Sequence, residues 1–194
     1  KGWYYNENNY KGTEARPSTA QMELVRDDTL FWASGPTYPY SFVNESLHID
    51  AVSQKRHGYL AAKSVLGIIR GDKRFIGLVP LSVNMTDKEI FVPFHVPVPP
   101  LVLDTSLVTK APHFGFTVIS KDNVDIVDSI RLNADTIIVV CKETPIGCKL
   151  RYGVNGEYMK SGRRIGPRGN LRDSQGDGYK VEVLGKYYPL HNWS

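Results

Sequence analysis

SFVNESLHIDAVSQKRHGYLAAKSVLGII, residues 41–69, places a histidine in a short polar stretch and then runs directly into an amphipathic helix. Ser53 can accept a hydrogen bond from the free N–H groups of a first helical turn, a contact worth on the order of 1 kcal/mol, so the helix is expected to open there. Gly58, Tyr59, Ala61, Ala62, Val65, Leu66 and Ile69 then recur on one broad face, with Lys55, Arg56 and Lys63 off it. The small residues at 58, 61 and 62 predict a close approach to a sheet, and Gly71 predicts a left-handed stop.

Upstream of this stretch, Ser18 and Gln21 have the spacing of a capping box, and Ala20, Leu24 and Val25 supply an apolar face, which predicts a helix over about 17–27. TLFWAS, β-branched and aromatic, reads as a buried strand closed by GPTYP. Helix, strand, loop and helix in that order are the elements of an α/β unit. Residues 1–16 show neither helix nor strand periodicity and read as a surface loop or as a segment left behind by upstream structure.

Downstream of residue 72 the texture changes. RFIGLVPL, EIFVPFHV, FGFTVIS, VDIVDSIRL, DTIIVVC, CKLRYGV and KVEVLGKYY are short, rich in Val, Ile, Phe and Tyr, and separated by turn residues, the pattern of an all-β sandwich or barrel. Pro93, Pro97, Pro99 and Pro100 crowd one segment, which suits an edge strand or an extended connection. The fold class expected is therefore α/β at the start, residues 1–72, followed by an all-β sandwich-like domain over 73–194.

Composition narrows the functions. Of 194 residues 41% are hydrophobic and 23% charged, so a packed core is expected. The 24 basic residues are dispersed among 20 acidic ones for a net charge of +4, which does not call for nucleic acid. Apolar runs fall short of the roughly 18–20 residues of a membrane span. The chain opens on Lys1, and we read it as an internal or C-terminal piece of a longer protein. Cys141 and Cys148 flank a turn that a disulfide could bridge, but two cysteines make no disulfide scaffold. His57, His95, His113 and His191 lack the spacing of metal ligands, so neither a metal nor another cofactor is expected.

Glu45 and His48 carry the chemistry. A serine hydrolase needs an imidazole to take the hydroxyl proton and a carboxylate to fix the ring's tautomer, and the two can come from one loop that turns back on itself. The same spacing also describes an ordinary loop histidine near a carboxylate. Helix, strand, loop, histidine and a helix beginning SQKRHGYLAA together resemble the last conserved block of the SGNH (GDSL-like) hydrolase superfamily, especially carbohydrate esterases similar to sialate O-acetylesterases. The resemblance covers about residues 17–70. It implies the C-terminal end of a flavodoxin-like SGNH hydrolase domain, with His48 as general base and Glu45 as its orienting acid.

The family usually has aspartate where Glu45 stands, and its nucleophile lies in a G-D-S block near the start of the domain. This sequence has no such block; RDSQGDG, residues 172–178, follows the histidine and sits in a glycine-rich loop. The resemblance thus implies that the serine comes from an upstream part of the same hydrolase. Beyond residue 80 the chain looks like the β-sandwich appended to some of these esterases, including those on phage tail spikes. That context implies an acetylated surface polysaccharide as partner, an extracellular or virion location, and a homotrimer. The competing expectation is a non-catalytic glycan-binding or structural module.

Two further features remain open at this level. SGRRIGPRGNLRDSQGDG, residues 161–178, holds Arg163, Arg164, Arg168 and Arg172 among glycines, suited either to an acidic glycan or to a solvated loop. Trp3, Tyr4, Tyr5, Tyr38 and Tyr40 can stack on sugars or simply pack.

Overall fold

Alternate apolar residues build the centre of the molecule. In β3, Glu89–His95, the side chains of Ile90, Val92 and Phe94 are buried while their neighbours are only half-buried, and in β7, Thr136–Cys141, Ile137, Val139 and Cys141 point the same way. The two strands pair antiparallel with Ile90 opposite Val139 and Val92 opposite Ile137, so their apolar faces coincide. The computed structural model describes residues 16–28, 30–45, 48–71, 77–157, 160 and 162–194, without the side chains of residues 16, 17 and 45.

The elements in order are α1 (Arg16–Asp27), α2 (Ala51–Arg70), β1 (Val79–Pro80), β2 (Asn84–Met85), β3, β4 (Val102–Leu103), β5 (Phe116–Ile119), β6 (Val127–Asn133), β7, β8 (Lys149–Tyr152), β9 (Leu171–Arg172), the short turn α3 (Gln175–Gly178), β10 (Lys180–Val183) and β11 (Lys186–Pro189). One antiparallel sheet runs β1-β3-β7-β6 with β2 also on β3, and three two-stranded pairs, β4-β9, β5-β8 and β10-β11, surround it. The protein is β-rich, made of small antiparallel sheets with few helices. Before residue 72 the described residues contribute two helices and one isolated bridge, and no parallel pair occurs among the described strands.

Several expectations are corrected. TLFWAS forms no strand over its described residues, 30–34. Its polar groups are taken by α2 instead: the Ser64 hydroxyl donates to Ala33 O at 3.3 Å and Ser34 Oγ lies 3.0 Å from His57 Nε2. Ser18 sits inside α1 rather than at its cap, because the helix already runs from Arg16. KVEVLGKYY is a hairpin rather than one strand: Leu184 and Gly185 take φ of 52° and 74°, the paired left-handed residues of a two-residue loop. Pro93 lies in a central strand, tolerated because its carbonyl accepts from Leu81 N–H at 2.8 Å between the end of β1 and the start of β2, where no ladder donor is required.

The largest correction concerns α2. Its N-cap is Asp50, whose carboxylate accepts from Ser53 N–H at 2.7 Å, while Gly71 closes it at φ 71° as expected. The face that packs inward carries Ser53, Leu60 and Ser64, and it lies on β10. The stripe expected to meet a sheet is outside: Val65 is 51% exposed and Ile69 74%, and a side chain added at Gly58 would meet nothing.

Two cores result. The larger joins Leu78, Ile90, Val92, Phe94, Leu101, Phe116, Val118, Ile126, Val127, Ile137, Val139, Cys141 and Leu171 between the main sheet and the β5-β8 pair. Cys141 and the partly buried Cys148 lie in or against it as free thiols. The smaller joins Tyr40, Leu60, Val181, Val183 and Leu190, with Ile49, Val52 and Tyr188 against it. It fastens the segment around residue 48 and the start of α2 to the β10-β11 hairpin.

Candidate functional site

His48 sits at the end of a short loop closed at its base. Phe42 and Ile49 form an antiparallel bridge, Val43 N–H donates to His48 O at 2.8 Å, and Asp50 N–H donates to Ser41 O at 3.0 Å. Between them a single 3-10 turn, Val43–Glu45, passes through Asn44 at φ 52°, a left-handed conformation asparagine tolerates better than most residues. The chain therefore reverses between residues 42 and 49. Immediately after His48, Ile49 packs on the smaller core and Asp50 caps α2, so the histidine's backbone is held from both sides.

The His48 side chain is exposed, and no group among the described residues hydrogen-bonds to its ring. The orienting role expected of Glu45 falls on a side chain outside the described residues, as do Ser46 and Leu47; the Glu45 backbone lies in the 3-10 turn.

The base of the loop is tied to distant sequence. Arg163 Nη1 donates to the Ser41 hydroxyl, its Nε to Leu107 O at 3.2 Å, and its own carbonyl accepts from Thr109 N–H at 3.0 Å. Ser41 N–H in turn donates to Ser53 Oγ at 3.1 Å. One guanidinium thus joins the 107–109 segment, the loop base and the first turn of α2. Nothing local in the sequence announces this contact, which spans 122 residues.

The other arginines of the glycine-rich stretch are also engaged by protein. Arg168 donates to Thr109 O, Gly166 O and Lys110 O at 2.8, 2.9 and 3.0 Å, and Arg172 forms an ion pair with Asp104 at 2.6 Å. Burial pushes the Asp104 carboxyl up, but the Leu107 N–H and Arg172 outweigh it and hold it below the usual range. The stretch is a structural clasp, and these forks are not free for a ligand. Tyr38 and Tyr40 likewise pack: Tyr38 donates to Ser194 O at 2.8 Å and meets Trp193 edge-on, and Tyr40 is 4% exposed. Trp3, Tyr4 and Tyr5 lie outside the described residues.

RDSQGDG builds a buried polar network in place of a nucleophile elbow. The Ser174 hydroxyl donates to Pro100 O at 2.8 Å, and Asp173, fully buried, accepts from Asn192 N–H, Asn192 Nδ2 and Gln175 N–H. His191, 3% exposed, has Nδ1 2.9 Å from Asp173 O, 3.1 Å from the Gly176 nitrogen and 3.2 Å from Arg172 Nη1, with Asp177 3.8 Å from Nε2. Burial first, then Arg172, lowers the affinity of this imidazole for a proton. Lys63 of α2 donates to Gln175 Oε1, joining the network to the helix. The sequence pointed to this segment only as an odd string; the buried role of His191 was not legible in it.

Of the remaining histidines, His95 Nδ1 contacts Gly77 O at 3.0 Å, and His57, half-buried, meets Tyr40 edge-on at 5.5 Å besides contacting Ser34. Among the described residues no three His, Cys, Asp or Glu side chains converge on a metal-sized site.

No protein-family model matches this chain, and no curated protein matches it. Among solved structures it is similar to a carbohydrate acetylesterase from Xanthomonas citri, with a TM-score of 0.44 and 14% identity over 68% of this chain. The likeness is distant, and the chain spans only 28% of that enzyme's chain.

Proposed function

We propose that this chain is the C-terminal part of a serine-dependent carbohydrate esterase that removes O-acetyl groups from a surface polysaccharide. His48 is its general base, Glu45 the acid that orients the imidazole, and the nucleophilic serine lies upstream in the same SGNH-type hydrolase. The observation that carries this reading is an exposed imidazole, unbonded among the described residues, on a loop whose base is fastened by a bridge, a helix cap and the Arg163 clasp. A structural histidine ordinarily spends its ring on the fold, as His95 and His191 do here; a general base must keep a ring nitrogen open for the reacting proton.

In this reading His48 takes the proton from the serine hydroxyl as its oxygen attacks the acetyl carbonyl. The imidazolium then protonates the departing sugar oxygen, and the acetyl group stays on serine. His48 next draws a proton from water, whose hydroxide attacks the acyl-serine to release acetate, and returns the proton to serine. A carboxylate at Glu45 would hold the ring's tautomer and offset the positive charge of the imidazolium.

From the family resemblance alone we also propose an extracellular or virion-tail location and a homotrimer. The test is His48→Ala in the full-length protein, with acetate release from an acetylated polysaccharide as the readout. A fall of about 10⁴-fold or more is expected for loss of the base, and unchanged release would remove the proposal.

A non-catalytic glycan-binding or structural module is the second reading. It is favoured by one observation: the serine hydroxyl that meets a histidine among the described residues, Ser34, meets His57 and not His48. A G-D-S block in the gene upstream favours the esterase, and its absence favours the module.

A further inference from the structure

Arg56, on the second turn of α2, is placed unlike the arginines of the clasp. Its guanidinium carbon lies 5.4 Å from the centre of the Tyr40 ring and 5.0 Å from that of Tyr188, over both. Its Nε is shielded from solvent and bonds to nothing, and no acceptor among the described residues takes a hydrogen bond from its terminal nitrogens. Arg163, Arg168 and Arg172 each spend their forks on carbonyls, a hydroxyl or a carboxylate.

A partly buried cation without an acceptor costs free energy, since it surrenders part of its hydration and gains no hydrogen bond in return. Two aromatic faces offset some of that cost but accept no in-plane N–H. The charged groups around it do not close the gap. Arg163 repels Arg56, and although Asp50 attracts it, one Asp50 oxygen is already occupied by the cap to Ser53 N–H. Among the described residues Arg56 is therefore left without a hydrogen-bond acceptor of its own.

We propose that the Arg56 guanidinium, held over Tyr40 and Tyr188, is a subsite for the carboxylate of an acidic sugar. A carboxylate matches the planar fork in two-point fashion, which a neutral hydroxyl does not. This rests on the esterase reading for its glycan context. Arg56 follows the Asp50 cap by six residues, about 9 Å along the axis, and Asp50 itself lies two residues after His48. The subsite selects chains in which a uronic acid neighbours the acetylated sugar.

The test uses the 15N-labelled chain and follows the Nε–Hε signal of Arg56, whose shielding from water keeps its proton slow to exchange. Sodium glucuronate is titrated against glucose and salt at matched ionic strength. A saturable shift with glucuronate, with a Kd of about 1–10 mM, is expected, together with no shift from glucose. Arg56→Lys should weaken glucuronate binding about tenfold, and His48→Ala should leave it unchanged. A glucuronate shift no larger than the salt control overturns the proposal, as does an equal shift with glucose. Because the wild-type titration needs no turnover, failure here leaves acetate release by the full-length protein as an independent measure of the esterase reading.

Discussion

Arg163 and Ser41 are joined by a hydrogen bond from guanidinium to hydroxyl, and Ser41 is the residue whose carbonyl receives Asp50 N–H at the base of the His48 loop. The rigidity of the candidate catalytic loop is therefore supplied by a residue from the far end of the β-rich part. Arg163→Ala removes this link and leaves Leu107 O without one of its donors. We expect a loss of about 1–3 kcal/mol in stability and faster hydrogen exchange at Val43 and Asp50 N–H than at the amides of β7. Arg163→Lys, which can reach only one acceptor at a time, should restore part of the protection.

The two faces of α2 make a paired prediction. Leu60→Ala, in the smaller core, should cost about 2–4 kcal/mol, read from urea unfolding. Val65→Gln and Ile69→Gln, on the exposed stripe, should change stability by no more than about 0.5 kcal/mol. A large loss at Val65 would contradict the observed orientation of the helix.

His191 and His57 predict the direction of acid sensitivity. Burial depresses both imidazoles below the ordinary value, with Arg172 adding to the effect at His191 against the opposing pull of Asp177 and Asp173. The unfolded chain, titrating near about 6.5, binds protons before the folded one does. Stability is then fully present above that value and is lost as pH falls through it toward the depressed folded values. The urea midpoint should drop between pH 7.5 and pH 5.5, and His191→Gln should flatten the part of the slope that this side chain supplies.

Gly176 permits the contact between α3 and His191. A Cβ placed there would lie 2.7 Å from His191 Cδ2 and Nε2. Gly176→Ala should therefore cost about 1–3 kcal/mol through overpacking, and it should move the His191 ring signals in an NMR spectrum. An unshifted ring would show that the contact is looser than observed.

Local sequence determined the parts of this protein that depend on local torsion preferences. The β-branched and aromatic runs in EIFVPFHV and DTIIVVC set the strand state of β3 and β7, and the Gly71 stop set the end of α2. These features follow from side-chain type and from left-handed backbone, both readable over a few residues.

Tertiary structure alone decided what each face and each charge would meet. The apolar stripe of α2 was legible, but the helix buries Ser53, Leu60 and Ser64 instead, because the β10-β11 hairpin and Tyr40 close a core on that side. TLFWAS had the residues of a strand, yet the hydrogen bonds of Ala33 and Ser34 go to side chains of α2. Sequence placed Arg56 off the apolar face of a helix and Arg163 in a glycine-rich stretch; packing gave Arg163 its acceptors and left Arg56 over two rings, with no acceptor among the described residues. Backbone preference acts between neighbours in sequence, whereas the desolvation and pairing of a side chain depend on groups brought close by folding, here across as many as 122 residues.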